Sequence, residues 1–193
     1  MREVTCVVLA AGLGTRLGGD KLSLPYRGAT MLDAVLDACA GFPCVAVVRA
    51  PTIAAVLRLR APSGGSAHHM AVVINDEPGR GMSHSLWLAN REVASERAIA
   101  VLLGDKPLVT PELVKRVVAV DDADVVYPLR DGIAGHPVVF SPRARMKIDG
   151  LRDGDTLQQL RDDPSLSRHA LEIDDEGAYV DIDTEADYRG LRD

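Results

Sequence analysis

Five short runs rich in β-branched and other apolar residues limit what this chain can fold into. They are "VTCVVLA" at 4–10, "CVAVVR" at 44–49, "AVVIN" at 71–75, "AIAVLLG" at 98–104 and "DVVYP" at 124–128. Between the first four lie "TMLDAVLDACAG", "PTIAAVLRLR" and "SHSLWLANREVA", each with apolar residues at helical spacing. Strands that are apolar almost throughout are buried on both faces, as in a parallel sheet covered by helices. The pattern predicts an α/β fold: a three-layer α/β/α sandwich on a Rossmann-like, mostly parallel sheet.

Composition narrows the class. The chain has 193 residues, 47% hydrophobic and 26% charged, which suits one well-buried domain over 1–193. No apolar run approaches the roughly 20 residues of a membrane span, and "MREVTCVVLAAG" has an acidic residue where a signal peptide would be basic. A cytoplasmic protein without a membrane partner is expected. A formal net charge of -6 argues against broad affinity for nucleic acid but leaves room for a small basic pocket. Cys6, Cys39 and Cys44 have no metal-ligand spacing and read as buried free thiols. "PSGGSAHH" at 62–69 reads as an internal loop with solvated His68 and His69.

The first strand runs into "AGLGTRLGGDK", with glycines at 12, 14, 18 and 19. Glycine costs roughly 0.5 to 1 kcal/mol against alanine in regular structure, so such a run points to a sharp bend or a close approach. A dinucleotide fingerprint fails, because Leu17 stands where the third glycine belongs; a Walker A loop fails, because Asp20 intervenes between Gly19 and Lys21. A glycine-rich turn after a strand still offers inward-pointing backbone N–H groups to an anion. Arg16 and Lys21 add two cations suited to a polyphosphate. The competing reading is a surface turn with two solvated cations.

"LAAGLGTRLGGDK" resembles the Leu-Ala-Ala-Gly-x-Gly-x-Arg-x-Gly-x-x-Lys loop of sugar-phosphate and cofactor nucleotidyltransferases. Within that superfamily the match is to the molybdenum cofactor cytidylyltransferase type, similar to the molybdopterin-guanine dinucleotide synthases. "GMSHSL" at 81–86, "GDKPLVTPELV" at 104–114, "GHPVVF" at 135–140 and "DIDTEADY" at 181–188 agree in order, so the resemblance spans nearly the whole chain.

The resemblance implies transfer of a nucleotide from an NTP, with CTP favoured, to a phosphorylated small-molecule acceptor such as molybdopterin, with Mg²⁺ as cofactor. Pyrophosphate is released, and the product can pass to a molybdoenzyme or its chaperone. It also implies a nucleotide-binding part at about 1–120 and an acceptor-binding part at about 121–193. Leu9, Ala10, Ala11, Gly12, Gly14, Arg16, Lys21 and Ser85 are the expected nucleotide contacts, with Arg16, Lys21 and Asp105 catalytic. Ala11 in Leu-Ala-Ala-Gly favours a cytidylyltransferase, since the guanylyltransferase-like members carry glycine there.

Residue chemistry agrees. Asp105 follows a strong strand, and ligands of open parallel sheets bind at the carboxyl ends of strands. Thr110 and Pro111 read as N-cap and first residue of the next helix. Asp183 is expected at the end of a strand "AYVDI", before a capping-box helix start, and the two carboxylates could share one hard cation. Asp181 would point to the other face and ranks second. Ser83 or Ser85 could cap the helix they open; Trp87 reads as core, and His84 receives no role. His136 and Lys106 are the expected acceptor-side residues.

Lys106 is also a departure, since relatives carry methionine or glutamine there, and "DGDTLQQL" at 153–160 lacks their arginine ending. Both changes put the acceptor in question. Guanylyl transfer, another acceptor, or a non-catalytic pterin or nucleotide delivery protein on the same fold remain the alternatives.

Overall fold

In a computed structural model the described residues are 2–12, 21–49 and 70–191. The glycine loop from 13 to 20, with Gly14 and Arg16, lies outside them, as do the expected helix "PTIAAVLRLR" and the loop with His68 and His69.

Strands β1 (Val4–Ala10), β4 (Cys44–Val48), β5 (Met70–Ile74), β6 (Ala98–Leu103), β7 (Val125–Arg130), β9 (Val138–Phe140) and β10 (Arg168–Glu172) form one sheet in the order β10-β7-β9-β6-β1-β4-β5, and β8 (Ile133–Ala134) pairs with β7. β1 is parallel to both β4 and β6, and β4 to β5. β9 runs antiparallel to β6 and β7. A two-stranded ribbon, β2 (Pro25–Tyr26) and β3 (Ala29–Thr30), turns at Arg27 and Gly28, both at positive φ, as a tight hairpin requires.

All seven residues of β1 are buried, and their alternation divides the core in two. Cys6, Val8 and Ala10 face α1 (Met31–Ala38) and α3 (Pro111–Val118), meeting Leu32, Val35, Leu113 and Val117. Val7, Leu9 and Ala11 lie in the opposite cluster with Leu86 of α2 (Met82–Arg91), Ala144 of α4 (Pro142–Arg145) and Leu160 of α5 (Leu157–Arg161). Helices therefore cover both faces of a mixed, mostly parallel sheet, as expected. All three cysteines are buried and free; Cys6 and Cys44 are register partners on β1 and β4.

Two expectations are corrected. "AYVDI" is not a strand: Glu176–Ala178 form a single helical turn and 180–183 run in irregular backbone to α6 (Glu185–Gly190). The added edge strand is β10 instead, upstream of that segment, where a charged "RHALE" alternates between exposed and half-buried positions. Neither Ser83 nor Ser85 caps α2, whose N-cap is Gly81 at φ 91. The caps at Thr110 and Thr184 form as expected, the latter a full capping box with Asp187.

Two basic groups, one buried and one half-buried, secure the sheet to its surroundings. Arg145, 5% exposed, spreads its guanidinium over the carbonyls of Asn90, Val93, Ala94 and Arg97 and the amide oxygen of Asn90. It thus collects the acceptors left at the C-terminal end of α2. Half-buried His136, between β8 and β9, hydrogen-bonds through Nδ1 to the Val101 carbonyl of β6. Burial pushes the imidazole pKa down to about 4, the Lys106 charge adding to the effect while the Val101 carbonyl and Asp105 oppose it.

Arg145→Met should lower the unfolding free energy by about 2 to 3 kcal/mol, the scale of stranding buried acceptors, as measured by urea denaturation. Arg145→Lys should recover only part, because an ammonium cannot reproduce the guanidinium's fan of donors. His136 supplies a pH signature. Its folded-state pKa is depressed, so below pH 6.5 the unfolded chain takes up the proton first and stability falls as pH drops toward about 4. In His136→Gln the urea midpoint should change less than in the parent between pH 7 and the lower end of that window.

Candidate active site

The carboxyl ends of β1, β4 and β6 open into a cleft of about 420 Å³. Its walls include Leu9, Ala10, Ala11, Gly12, Lys21, Ser85 and Asp105, so every described residue expected to touch the nucleotide lies there. Ala11 is 2% exposed and packs in the cluster of α2. A Cβ added at Gly12 would meet no described atom within 4 Å. Gly104 differs, for a Cβ there would stand 3.1 Å from Ala10 Cβ. Gly104 thus permits the close approach of β1 and β6 under the site.

The floor is electrostatic. Lys21 Nζ lies 2.8 Å from Asp105 Oδ2, 2.8 Å from Asp183 Oδ1 and 3.1 Å from the Ile182 carbonyl. Burial opposes the ammonium's charge, but hydrogen bonds to the two carboxylates outweigh it and raise its pKa above 10.5. Asp105 and Asp183 therefore meet, and the cation between them is the ammonium of Lys21. Asp183 reaches the site from irregular backbone: Asp187 Oδ2 accepts from its N–H, and the neighbouring Ile182 N–H donates to the Asp105 carbonyl at 3.0 Å.

Lys106, expected on the acceptor side, makes two polar contacts within the chain. Its ammonium is buried, donates to the Tyr179 carbonyl at 2.9 Å and pairs with Asp181 at 2.7 Å. Two oxygens of the chain hold it, so it fastens the 179–183 segment to the end of β6. Gly177 adds to the fastening, since a Cβ there would collide with the Leu108 carbonyl. Asp181, ranked second as a metal ligand, is the partner of Lys106.

Ser85 is buried, and its hydroxyl accepts from Asn75 Nδ2 at 2.9 Å. Asn75 in turn accepts from the Glu77 N–H. Ser85 can therefore donate its own hydroxyl proton toward the cleft it lines. Ser83 donates to the Arg152 carbonyl, and the Gly154 N–H donates to the Arg80 carbonyl, which ties the 152–154 turn to the cleft rim. Trp87 packs partly buried against the core, stacked by His84 and covered by Arg91.

Sequence reasoning missed Arg49 and Asn75. Arg49 lines the cleft directly after β4 and could have been found by the rule that singled out Asp105, a charged residue at the carboxyl end of a parallel strand. Asn75 stands at the same place after β5, and nothing in its sequence context marked it.

Asp105 and Asp183 suit a hard divalent cation. They are oxygen donors, and their convergence on one ammonium shows that both reach a single cationic centre. Among the described residues no group of three or more His, Cys, Asp or Glu could hold a metal. Two carboxylates are what Mg²⁺ accepts when substrate phosphates and water complete its shell. No helix among the described residues is long and apolar enough to cross a membrane.

Known proteins agree with this architecture. The chain is 23% identical to the molybdenum cofactor cytidylyltransferase of Escherichia coli (strain K12), over 97% of this chain and 95% of that one. It superposes on the crystal structure of Rv0371c from Mycobacterium tuberculosis H37Rv with a TM-score of 0.78 at 28% identity, covering 98% and 97% of the two chains. A manganese complex of Rv0371c superposes with a TM-score of 0.74 at 28% identity, with coverage of 98% and 97%. Residues 6–170, from β1 through the cleft walls to β10, match the MobA-like NTP transferase domain, and the chain belongs to that family and is a nucleotidyltransferase.

Proposed function

We propose that the chain is one NTP transferase unit that transfers CMP from CTP to a phosphorylated cofactor precursor, with molybdopterin as acceptor, and releases pyrophosphate. The observation that carries the reading is the meeting of Lys21, Asp105 and Asp183 on the floor of a cleft whose wall is Leu9–Gly12. Phosphoryl chemistry of this kind needs positioning and charge more than a side-chain nucleophile.

An acceptor phosphate oxygen attacks the α-phosphorus in line, a new P–O bond forms, and the bond to the bridging oxygen breaks as pyrophosphate leaves. Lys21 and Arg16 hold the β- and γ-phosphates and stabilise the charge on the departing group. The Ser85 hydroxyl donates to the base or ribose, and the Ala11 methyl narrows the slot beside it. Asp105 and Asp183 would hold a Mg²⁺, which supplies Lewis-acid neutralisation of phosphate charge. His136 serves the acceptor side as a neutral imidazole, its Nδ1 occupied by the Val101 carbonyl and its Nε2 left to accept a proton-bearing group. The product passes to a molybdoenzyme or its chaperone in the cytoplasm.

Pyrophosphate release with each of the four common NTPs, with and without molybdopterin, tests the reading directly. Release that is independent of molybdopterin would overturn the acceptor assignment. Asp105→Asn should lower turnover by roughly two orders of magnitude or more, as loss of a main electrostatic stabiliser does. Unchanged turnover at saturating Mg²⁺ would sink the metal assignment.

Nucleotide choice rests on one methyl group. Ala11 should favour CTP over GTP by about 10- to 200-fold in specificity constant, the usual yield of a small steric difference. Ala11→Gly should relax that ratio without fully reversing it. Competition between the two nucleotides measures both, and a parent preference for GTP would replace the cytidylyltransferase assignment with a guanylyltransferase one.

A further inference from the structure

Lys21 stands where the proposed metal would stand. Its ammonium is within hydrogen-bond distance of the two carboxylates that could hold the ion, and of the Ile182 carbonyl. An ammonium and a divalent cation cannot share that notch: at contact distance like charges repel by about 1 kcal/mol even in bulk water, and by more where water is partly excluded. Any cation entering between Asp105 and Asp183 must first replace Lys21.

We infer that Lys21 is a positioning residue that keeps the two carboxylates converged and closes the notch to free divalent ions until a nucleotide arrives. This rests on the reading of Asp105 and Asp183 as the metal pair. The ammonium lies in contact with both carboxylates, so it lowers the cost of assembling them. It also raises the cost of metal entry, because the ion gains the carboxylates only by stripping a strong charge-assisted contact from each.

The exchange is feasible because the notch is partly wet. The side chains of Lys21, Asp105 and Asp183 are 13%, 25% and 45% exposed, so the pairs are screened and are not a sealed buried triad. A nucleotide supplies what free metal lacks. Its phosphates offer the displaced ammonium new anionic partners at the same mouth of the cleft, and they bring oxygen ligands for the ion. Lys21 thus belongs to the carboxylates in the empty enzyme and to the phosphates in the loaded one, and metal and nucleotide bind with positive coupling.

The test is Mn²⁺ binding to the full chain without nucleotide, followed by electron paramagnetic resonance of the free ion. Lys21→Met should bind Mn²⁺ at least about tenfold more tightly than the parent, on the scale of removing one like charge at contact distance. Lys21→Arg should stay near the parent, because it keeps a cation in the notch. The gain in Lys21→Met should vanish when Asp105→Asn is added. Equal or weaker Mn²⁺ binding by Lys21→Met, or a gain that survives Asp105→Asn, would overturn the inference. If Asp105→Asn has lost turnover while Lys21→Met gains no Mn²⁺ affinity, the metal pair stands and only the placeholder role of Lys21 falls. A Lys21→Met chain with the parent's thermal midpoint keeps these outcomes free of misfolding.

Discussion

The close approach of β1 and β6 is the constraint on which the site depends. The two strands lie side by side in parallel register from Val4 opposite Ala98 to Leu9 opposite Leu103, and the Gly104 N–H continues the ladder to the Leu9 carbonyl. Just beyond, Gly104 leaves the space that the Ala10 side chain fills. Both strands end at the same level, so the residues that leave them, Ala11 and Gly12 on one side and Asp105 on the other, must face one cleft. A parallel sheet makes this unavoidable, because only parallel neighbours bring their carboxyl ends to the same edge.

The C-terminal segment completes what the strand ends begin. Asp183 arrives on irregular backbone whose polar groups are paired one by one: the Ile182 N–H to Asp105, the Tyr179 carbonyl to Lys106, and the Ala178 carbonyl to the His136 N–H. Such a segment has no ladder of its own, so its placement relies on side chains and on glycines small enough to let it approach. Gly135 faces Ala178 and Tyr179, and Gly177 faces Leu108. The site therefore joins residues far apart in the chain through contacts that leave no periodic pattern.

That distinction explains what was legible in the sequence. β1, β4 and β6 could be read because burial on both faces demands uninterrupted apolar residues, α1 and α2 because one buried stripe demands helical spacing, and α3 because Thr110 and Pro111 mark its start. Asp105 and Ala11 followed from the ends of those strands. "AYVDI" misled because it has strand-like residues, yet its amides are taken by single partners and not by a neighbouring strand. β10 was missed for the opposite reason: an edge strand with charged residues at both ends carries little apolar signal. Arg145 was illegible because its role lies in collecting carbonyls from another helix, and a backbone acceptor has no letter in the sequence.

Lys106 places a second ammonium beside Asp105 whose charge is matched within the chain. A lone lysine next to Asp105 would compete with any cation bound there and draw the carboxylate away from it. Asp181 answers it at 2.7 Å, and the Tyr179 carbonyl takes another of its donors, so the added positive charge is matched within the same segment. The two carboxylates on Lys21 keep their partner. Because Asp181 and Asp183 bracket Ile182, one short stretch both neutralises Lys106 and carries the carboxylate that reaches Lys21, and the Ile182 N–H on the Asp105 carbonyl holds that stretch against the end of β6. Lys106 thus anchors the segment that brings Asp183 to the cleft floor, where Asp183 and Asp105 meet Lys21.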